Sequence, residues 1–233
     1  MSKAKNVLKN TVREKGIIAV SVIILILLFD QWLKIGVKTS MLLHESIVLV
    51  PDWAQLFFTE NKGMAFGMEF VGTYLLCGFR IVAVSLLSYG LWRVIRLKAP
   101  VGFIVCLALV TAGAAGNIFD NLFYGLIFTE STPYSVASFA PFGEGYGSFL
   151  SGKVVDMFYF PLIDTTLPDW VPLKGGERFI FFAPIFNLAD AAITCGGFSL
   201  VLFNRKTFSH YYELILSKKQ GPEGEEPDQQ PQE

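Results

Sequence analysis

Two aspartates, Asp156 and Asp190, stand at the edges of membrane-length apolar segments, in Lys153-Val-Val-Asp156-Met-Phe and Phe186-Asn187-Leu-Ala-Asp190. An ionised carboxylate in or beside hydrocarbon costs roughly 2.5–3.5 kcal/mol on insertion scales, so such residues are read as functional by default. Two acids at close range share one proton, because ionising both is unfavourable. One can then take a proton from an attacking water while the other polarises a carbonyl and protonates the leaving amine. That is amide hydrolysis by acid and base alone, and the pair titrates as a unit.

Further polar residues keep a regular spacing. Asn117 and Asp120 lie three apart near the end of one apolar run, and Asn187 and Asp190 repeat that spacing near the start of another. On a helix, residues i and i+3 share a face, so each Asn is expected to hydrogen-bond its Asp or a ligand beside it. Small residues flank both pairs, Ala112-Gly113-Ala114-Ala115-Gly116 before Asn117 and Ala191, Ala192, Gly196 and Gly197 after Asp190. Such residues let helices approach closely in lipid. One pair alone would be explained by interhelical hydrogen bonding; two pairs together with Asp156 favour chemistry. Asp30 and Lys34 form an i,i+4 pair with the acid first, the favourable order, and are read as a structural ion pair. Arg80 must snorkel or meet an acid inside a bundle. Cys77, Cys106 and Cys195 all fall in apolar runs and His44 and His210 lie far apart, so neither a disulfide framework nor a metal site is expected.

These residues need elements to hold them. The chain of 233 residues is 52% hydrophobic and 17% charged, with a net charge of −1, which places it among membrane proteins. A spanning helix takes about 20 mostly apolar residues, and four stretches qualify: 16–37, 70–97, 100–125 and 179–204. The expected fold class is an all-α membrane protein of four transmembrane helices, with a small extracytoplasmic β-rich platform and a longer outer loop segment. Residues 46–50 and 56–59, rich in β-branched and aromatic side chains, predict the platform strands. Residues 1–15 form a basic lead, 16–204 the membrane domain with outer segments 38–69 and 126–178, and 205–233 a tail that is disordered from about 221. The first stretch lacks a small-residue cleavage site and is expected to remain as an anchor. Lys and Arg concentrate in the lead, in the 93–98 link and in the tail. All three therefore belong on the cytoplasmic side. The Gly-punctuated, aromatic segment 126–152 is expected to be a lid or platform on the bilayer surface.

Five motifs carry a resemblance: Asp30-Gln-Trp-Leu-Lys34, Asn61-Lys-Gly-Met-Ala-Phe-Gly67, Gly116-Asn-Ile-Phe-Asp120, Val154-Val-Asp156 and Phe186-Asn-Leu-Ala-Asp190. In this order and setting the chain resembles the lipoprotein signal peptidases (signal peptidase II), bacterial membrane aspartyl proteases. The resemblance implies that Asp156 and Asp190 are the catalytic dyad and that Asn61, Asn117, Asp120 and Asn187 line the site. It implies removal of signal peptides from diacylglyceryl-modified prolipoproteins at the bacterial cytoplasmic (inner) membrane, with the active site toward the outer face. Membrane lipids are then the other partners, with no nucleic acid, metal or cofactor. Phe57, Phe58, Phe66 and Met68 are candidates for a platform over the scissile bond, with simple packing the competing and preferred role for any single one. Two departures stand out. Asn121 occupies the place where many members have Arg, with Lys153 and Arg178 as candidates to supply the missing charge, and the segments 126–152 and 161–177 are longer than the compact pattern.

Two other classes compete. A proton-coupled transporter or assembly protein would use Asp120, Asp156 and Asp190 as a relay, but it calls for carboxylates spread through the membrane depth, and here they gather near one surface. A scaffold presenting an outer domain leaves the acids unexplained.

Overall fold

The computed structural model describes residues 2–51, 53–61, 73–170, 172 and 174–217. Among the described residues, three helices are long and apolar enough to cross a membrane. They are α1 (Ser2–Lys38, apolar from Asn10), α2 (Thr73–Arg96, apolar from Cys77) and α3 (Val101–Ile127). The fourth apolar stretch differs from the helix expected over 179–204. Only Leu188–Phe203 is helical (α4), 16 residues or about 24 Å at 1.5 Å per residue, against a hydrocarbon core of about 30 Å. The preceding residues are rich in β-formers, and Pro184 biases its neighbour away from helix. Arg178–Phe181 and Ile185–Phe186 accordingly run as strands β5 and β6. A further helix, α5 (Arg205–Ser217), turns back and stacks Tyr211 on Phe103 of α3, 5.9 Å between rings.

Helix α3 is the centre of the bundle and packs against α1, α2 and α4. Its small residues are required by α4. A Cβ on Gly113 would lie 2.2 Å from the Ala189 carbonyl oxygen, and one on Gly116 would lie 3.3 Å from the Ala189 Cβ. Gly196 answers from α4, where a Cβ would sit 2.7 Å from the Cys106 carbonyl oxygen, whereas Gly197 faces open space.

The platform is a four-stranded antiparallel sheet in the order β1-β2-β3-β6. Strand β1 (Ser46–Val50) coincides with the expected strand, and β2 (Ala54–Asn61) contains the second. Strand β3 (Val154–Tyr159) arrives from far along the chain and pairs Asp156 with Thr59. The membrane part is thus helical, but a sheet assembled from three separate segments sits at its end. A buried cluster of Val37, Met41, Phe58, Tyr124, Phe128, Val155 and Met157 joins the helix ends to this sheet. A second, two-stranded sheet pairs β4 (Ile163–Thr166) with β5 inside the long outer segment.

The segment expected as a lid is anchored at its base. The Lys38 ammonium, fully buried, pairs with Glu60 and donates to the Ser131 hydroxyl at 2.9 Å, and Ser131 donates to Glu60 at 2.8 Å. The Tyr146 hydroxyl accepts the Lys153 backbone N–H at 2.7 Å, and burial pushes its pKa up. The motif residues 62–67, Phe66 and Met68 among the platform candidates, and the tail from 221 lie outside the described residues.

Candidate active site

Strand β3 carries Asp156 to the point where α4 begins. Asn187 is the N-cap of α4, in extended backbone, and its side-chain oxygen accepts the Asp190 N–H at 2.9 Å. The Asp190 carboxylate in turn accepts the Asn187 N–H at 3.3 Å, closing a capping box. The Asn-x-x-Asp spacing read from sequence as a shared helical face is, at 187–190, the start of the helix itself. The negative charge also lies where the helix dipole favours it.

One amide network then joins both acids. The Asn187 amide donates to the Asp156 carboxylate at 2.6 Å and to Asn117 Oδ1 at 3.1 Å, while the Asn117 amide donates to the Asp190 carboxylate at 2.8 Å. Asn117 therefore bonds across to α4 and not to Asp120 on its own helix. Asp156 is 6% exposed. Burial, and next the neighbouring charge of Asp190, push its carboxyl up to about 7, against the opposing hydrogen bond from Asn187. Asp190 is only partly buried. The two acids thus sit in unequal surroundings, the condition that separates an acid role from a base role.

Behind this pair lies a second polar layer. Lys34 is fully buried, with its ammonium 2.8 Å from Asp30, 2.7 Å from Asp120 and 2.9 Å from Asn117 Oδ1. Asp120 also accepts from Gln31 at 2.8 Å, and Gln31 accepts from the Tyr124 hydroxyl at 3.0 Å. Asp120 therefore faces Lys34 and Gln31 in the interior. Asp30 does more than pair with Lys34: its other oxygen accepts the Ala189 N–H at 2.9 Å, satisfying a donor in the first turn of α4. Asn61 ends β2 opposite Val154, exposed, two residues along from Thr59.

The charge sought near Asn121 comes from a residue that sequence reasoning left without a role. Arg80 of α2 donates to Asn121 Oδ1 at 2.5 Å, and the Asn121 amide donates to the Gly152 carbonyl at 2.7 Å. Lys153 instead turns to Glu60 at 3.4 Å and Glu130 at 3.2 Å. Arg178 pairs with Asp164 on the exposed β4–β5 hairpin, holding that carboxyl below its usual range. The available signal was that Arg80 is the single charged residue between Phe70 and Trp92.

Comparisons with known proteins agree with this arrangement of elements. The model of a family described as signal peptidase (SPase) II matches residues 22–205. A lipoprotein signal peptidase of Porphyromonas gingivalis is 44% identical over 218 residues, 93% of this chain and 94% of the relative. That of Amoebophilus asiaticus is 37% identical over 188 residues, 78% and 75% of the two chains. Two solved structures, both described as bacterial membrane enzymes, share the fold. One, at 21% identity, covers 79% of this chain and 90% of its own with a TM-score of 0.53, and the other, at 19% identity, covers 91% and 94% with a TM-score of 0.50.

Proposed function

This chain belongs to the signal peptidase II family, and we propose that it is a membrane aspartyl endopeptidase that removes signal peptides from diacylglyceryl-modified prolipoproteins. The observation that carries the mechanism is the bridge of Asn187 and Asn117 between the Asp156 and Asp190 carboxylates. In this reading Asp156, pushed up to about 7, holds the shared proton. It polarises the scissile carbonyl and delivers the proton to the leaving amine. Asp190, more exposed, takes a proton from the attacking water. Asn117 and Asn187 keep the two acids aimed at one reacting centre, and Asn61 lines the approach from β2. Lys34, Asp30 and Asp120 act from behind by fixing Asn117 and the first turn of α4. Arg80, held by Asn121, supplies positive charge beside the acids and so stabilises the negative charge that develops on the carbonyl oxygen.

The proposed setting is the bacterial cytoplasmic membrane, with α4 as a short fourth span, both termini cytoplasmic and the sheet on the outer face. The distribution of Lys and Arg supports this orientation. A lipidated substrate is already anchored in the bilayer and reaches such a site by lateral diffusion. The relay reading gains no support from the geometry, since Asp30, Asp120, Asp156 and Asp190 gather at the sheet end of the bundle.

The test is incubation of the purified chain with a lipidated prolipoprotein and an unlipidated control. Cleavage of the first alone is the expected result. Asp156→Asn and Asp190→Asn each abolish it while keeping a normal melt in detergent, and the double variant is hardly worse than either single one. Near-normal turnover by either single variant overturns the dyad.

A further inference from the structure

A groove of about 960 Å³ lies between α1 and α2 at the end of the bundle away from Asp156 and Asp190, within the roughly 300–1,000 Å³ of small-molecule sites. Two arginines line its end nearest the start of α1 and the end of α2, Arg13 and Arg96. Deeper in, its walls are apolar: Val20 and Ile23 on one side, Leu91 and Trp92 on the other. Val20 lies seven positions beyond Arg13, about 10 Å along the helix axis. The groove therefore grades from cationic to apolar along the direction in which a lipid grades from headgroup to chain. Its floor is open, since nothing lies within 4 Å of a Cβ placed on Gly16.

Charge and exposure both narrow the occupant. Among the described residues no Asp or Glu lines the groove, so none of them pairs there with the cationic part of a zwitterionic headgroup. The nearby Lys15 is already committed, its ammonium donating to the Lys98 and Ala99 carbonyls at 2.9 and 2.7 Å and closing the turn from α2 to α3. Arg96 lies over the Trp92 ring at 5.4 Å, which orients its guanidinium. Val20 is 54% and Trp92 50% exposed, so the walls open outward to hydrocarbon in a chain that crosses a bilayer. Basic pockets between membrane helices bind anionic headgroups, and Trp sits by preference at the depth where headgroups meet chains.

We propose that this groove is a binding site for one anionic glycerophospholipid, its phosphate between Arg13 and Arg96 and an acyl chain along Val20, Ile23 and Leu91. The site is separate from the acids and does not depend on the reaction assigned to them. The test is quenching of Trp92 fluorescence in the full chain reconstituted in phosphatidylcholine vesicles, with Trp92→Phe defining the Trp92 contribution. Brominated phosphatidylglycerol is expected to quench that contribution at a mole fraction on the order of tenfold lower than brominated phosphatidylcholine. The Arg13→Gln/Arg96→Gln double variant is expected to remove the difference with its thermal melt unchanged. In the unmodified chain the preference is expected to fall as ionic strength rises. Equal quenching by the two lipids, or a preference that survives both the double substitution and high salt, overturns the assignment.

Discussion

Lys34 is buried between Asp30 and Asp120 and also donates to Asn117, so removing its ammonium strands two carboxylates inside an apolar bundle. Lys34→Met is therefore expected to cost about 3–5 kcal/mol. Asp30→Asn keeps an oxygen for the Ala189 N–H and leaves the Lys34–Asp120 pair, so about 1–3 kcal/mol is expected. Thermal melts of the two variants in one detergent check the order. The acids set a pH dependence with a definite sign. Because the Asp156 carboxyl is pushed up to about 7, the folded chain holds that proton more tightly than the unfolded one. Its contribution to stability is full below about pH 4 and is lost as pH rises through about 7. Activity is expected to fall in the same direction, giving kcat/KM an alkaline limb near pH 7 in the free enzyme. A pH profile flat to pH 9 would remove Asp156 as the proton holder. Arg80 has its own test. Arg80→Asn is expected to lower kcat on the order of 10²-fold, and the exchange Arg80→Asn with Asn121→Arg to recover part of it, because the guanidinium returns to the same spot from α3. An Arg80→Asn variant with unchanged kcat would leave this residue a purely structural role.

At the scale of elements, the close approach of α3 and α4 is what sets the start of α4, and with it Asn187 and Asp190. Gly113→Val drives a side chain into the Ala189 carbonyl. A loss of about 1–3 kcal/mol is expected, with cleavage reduced because the capping box shifts. Gly197→Ala, which meets open space, is expected to be neutral or to stabilise by up to about 1 kcal/mol. Equal melting temperatures for the two variants would show that the glycines are interchangeable. This contact also explains what was legible in the sequence. Length and apolarity identify α1, α2 and α3 directly, and β-branched runs identify β1 and most of β2. Residues 178–187 mislead, because their apolarity suits either a span or a strand, and only the pairing of β6 with β3 and of β5 with β4 decides between them. The same holds at the candidate site. The cost of a charge beside hydrocarbon marks Asp156 and Asp190, but the bridge from Asn187 to Asp156 spans 31 residues and depends on β3 meeting α4. The Arg80–Asn121 contact is a packing result between two helices, and no local spacing encodes it.

At the scale of the whole molecule, the outer segment and the tail are expected to respond differently to deletion. Removing residues 126–152 takes away Ser131 and Tyr146, partners of the buried Lys38 and of Lys153, so loss of folded protein is expected beyond any loss of substrate use. Removing residues 221–233, a polar and acidic stretch, is expected to leave cleavage nearly unchanged. Yields and turnover of the two truncations check this. Single cysteines placed at Ser2 and Gln230 are expected to resist labelling from outside intact cells, and labelling of either would overturn the four-span orientation. The capping box at Asn187 and Asp190 has a consequence for biosynthesis. The chain leaves the ribosome with α1, α2, α3 and the Asp156 strand complete while one of the two proposed catalytic acids has yet to be made. When Asp190 does emerge, its carboxylate is set only as the first turn of α4 winds and docks on Gly113. A nascent enzyme arrested before Phe203 is therefore expected to sit in the membrane beside potential substrates without cutting them, so that proteolytic competence waits for α4.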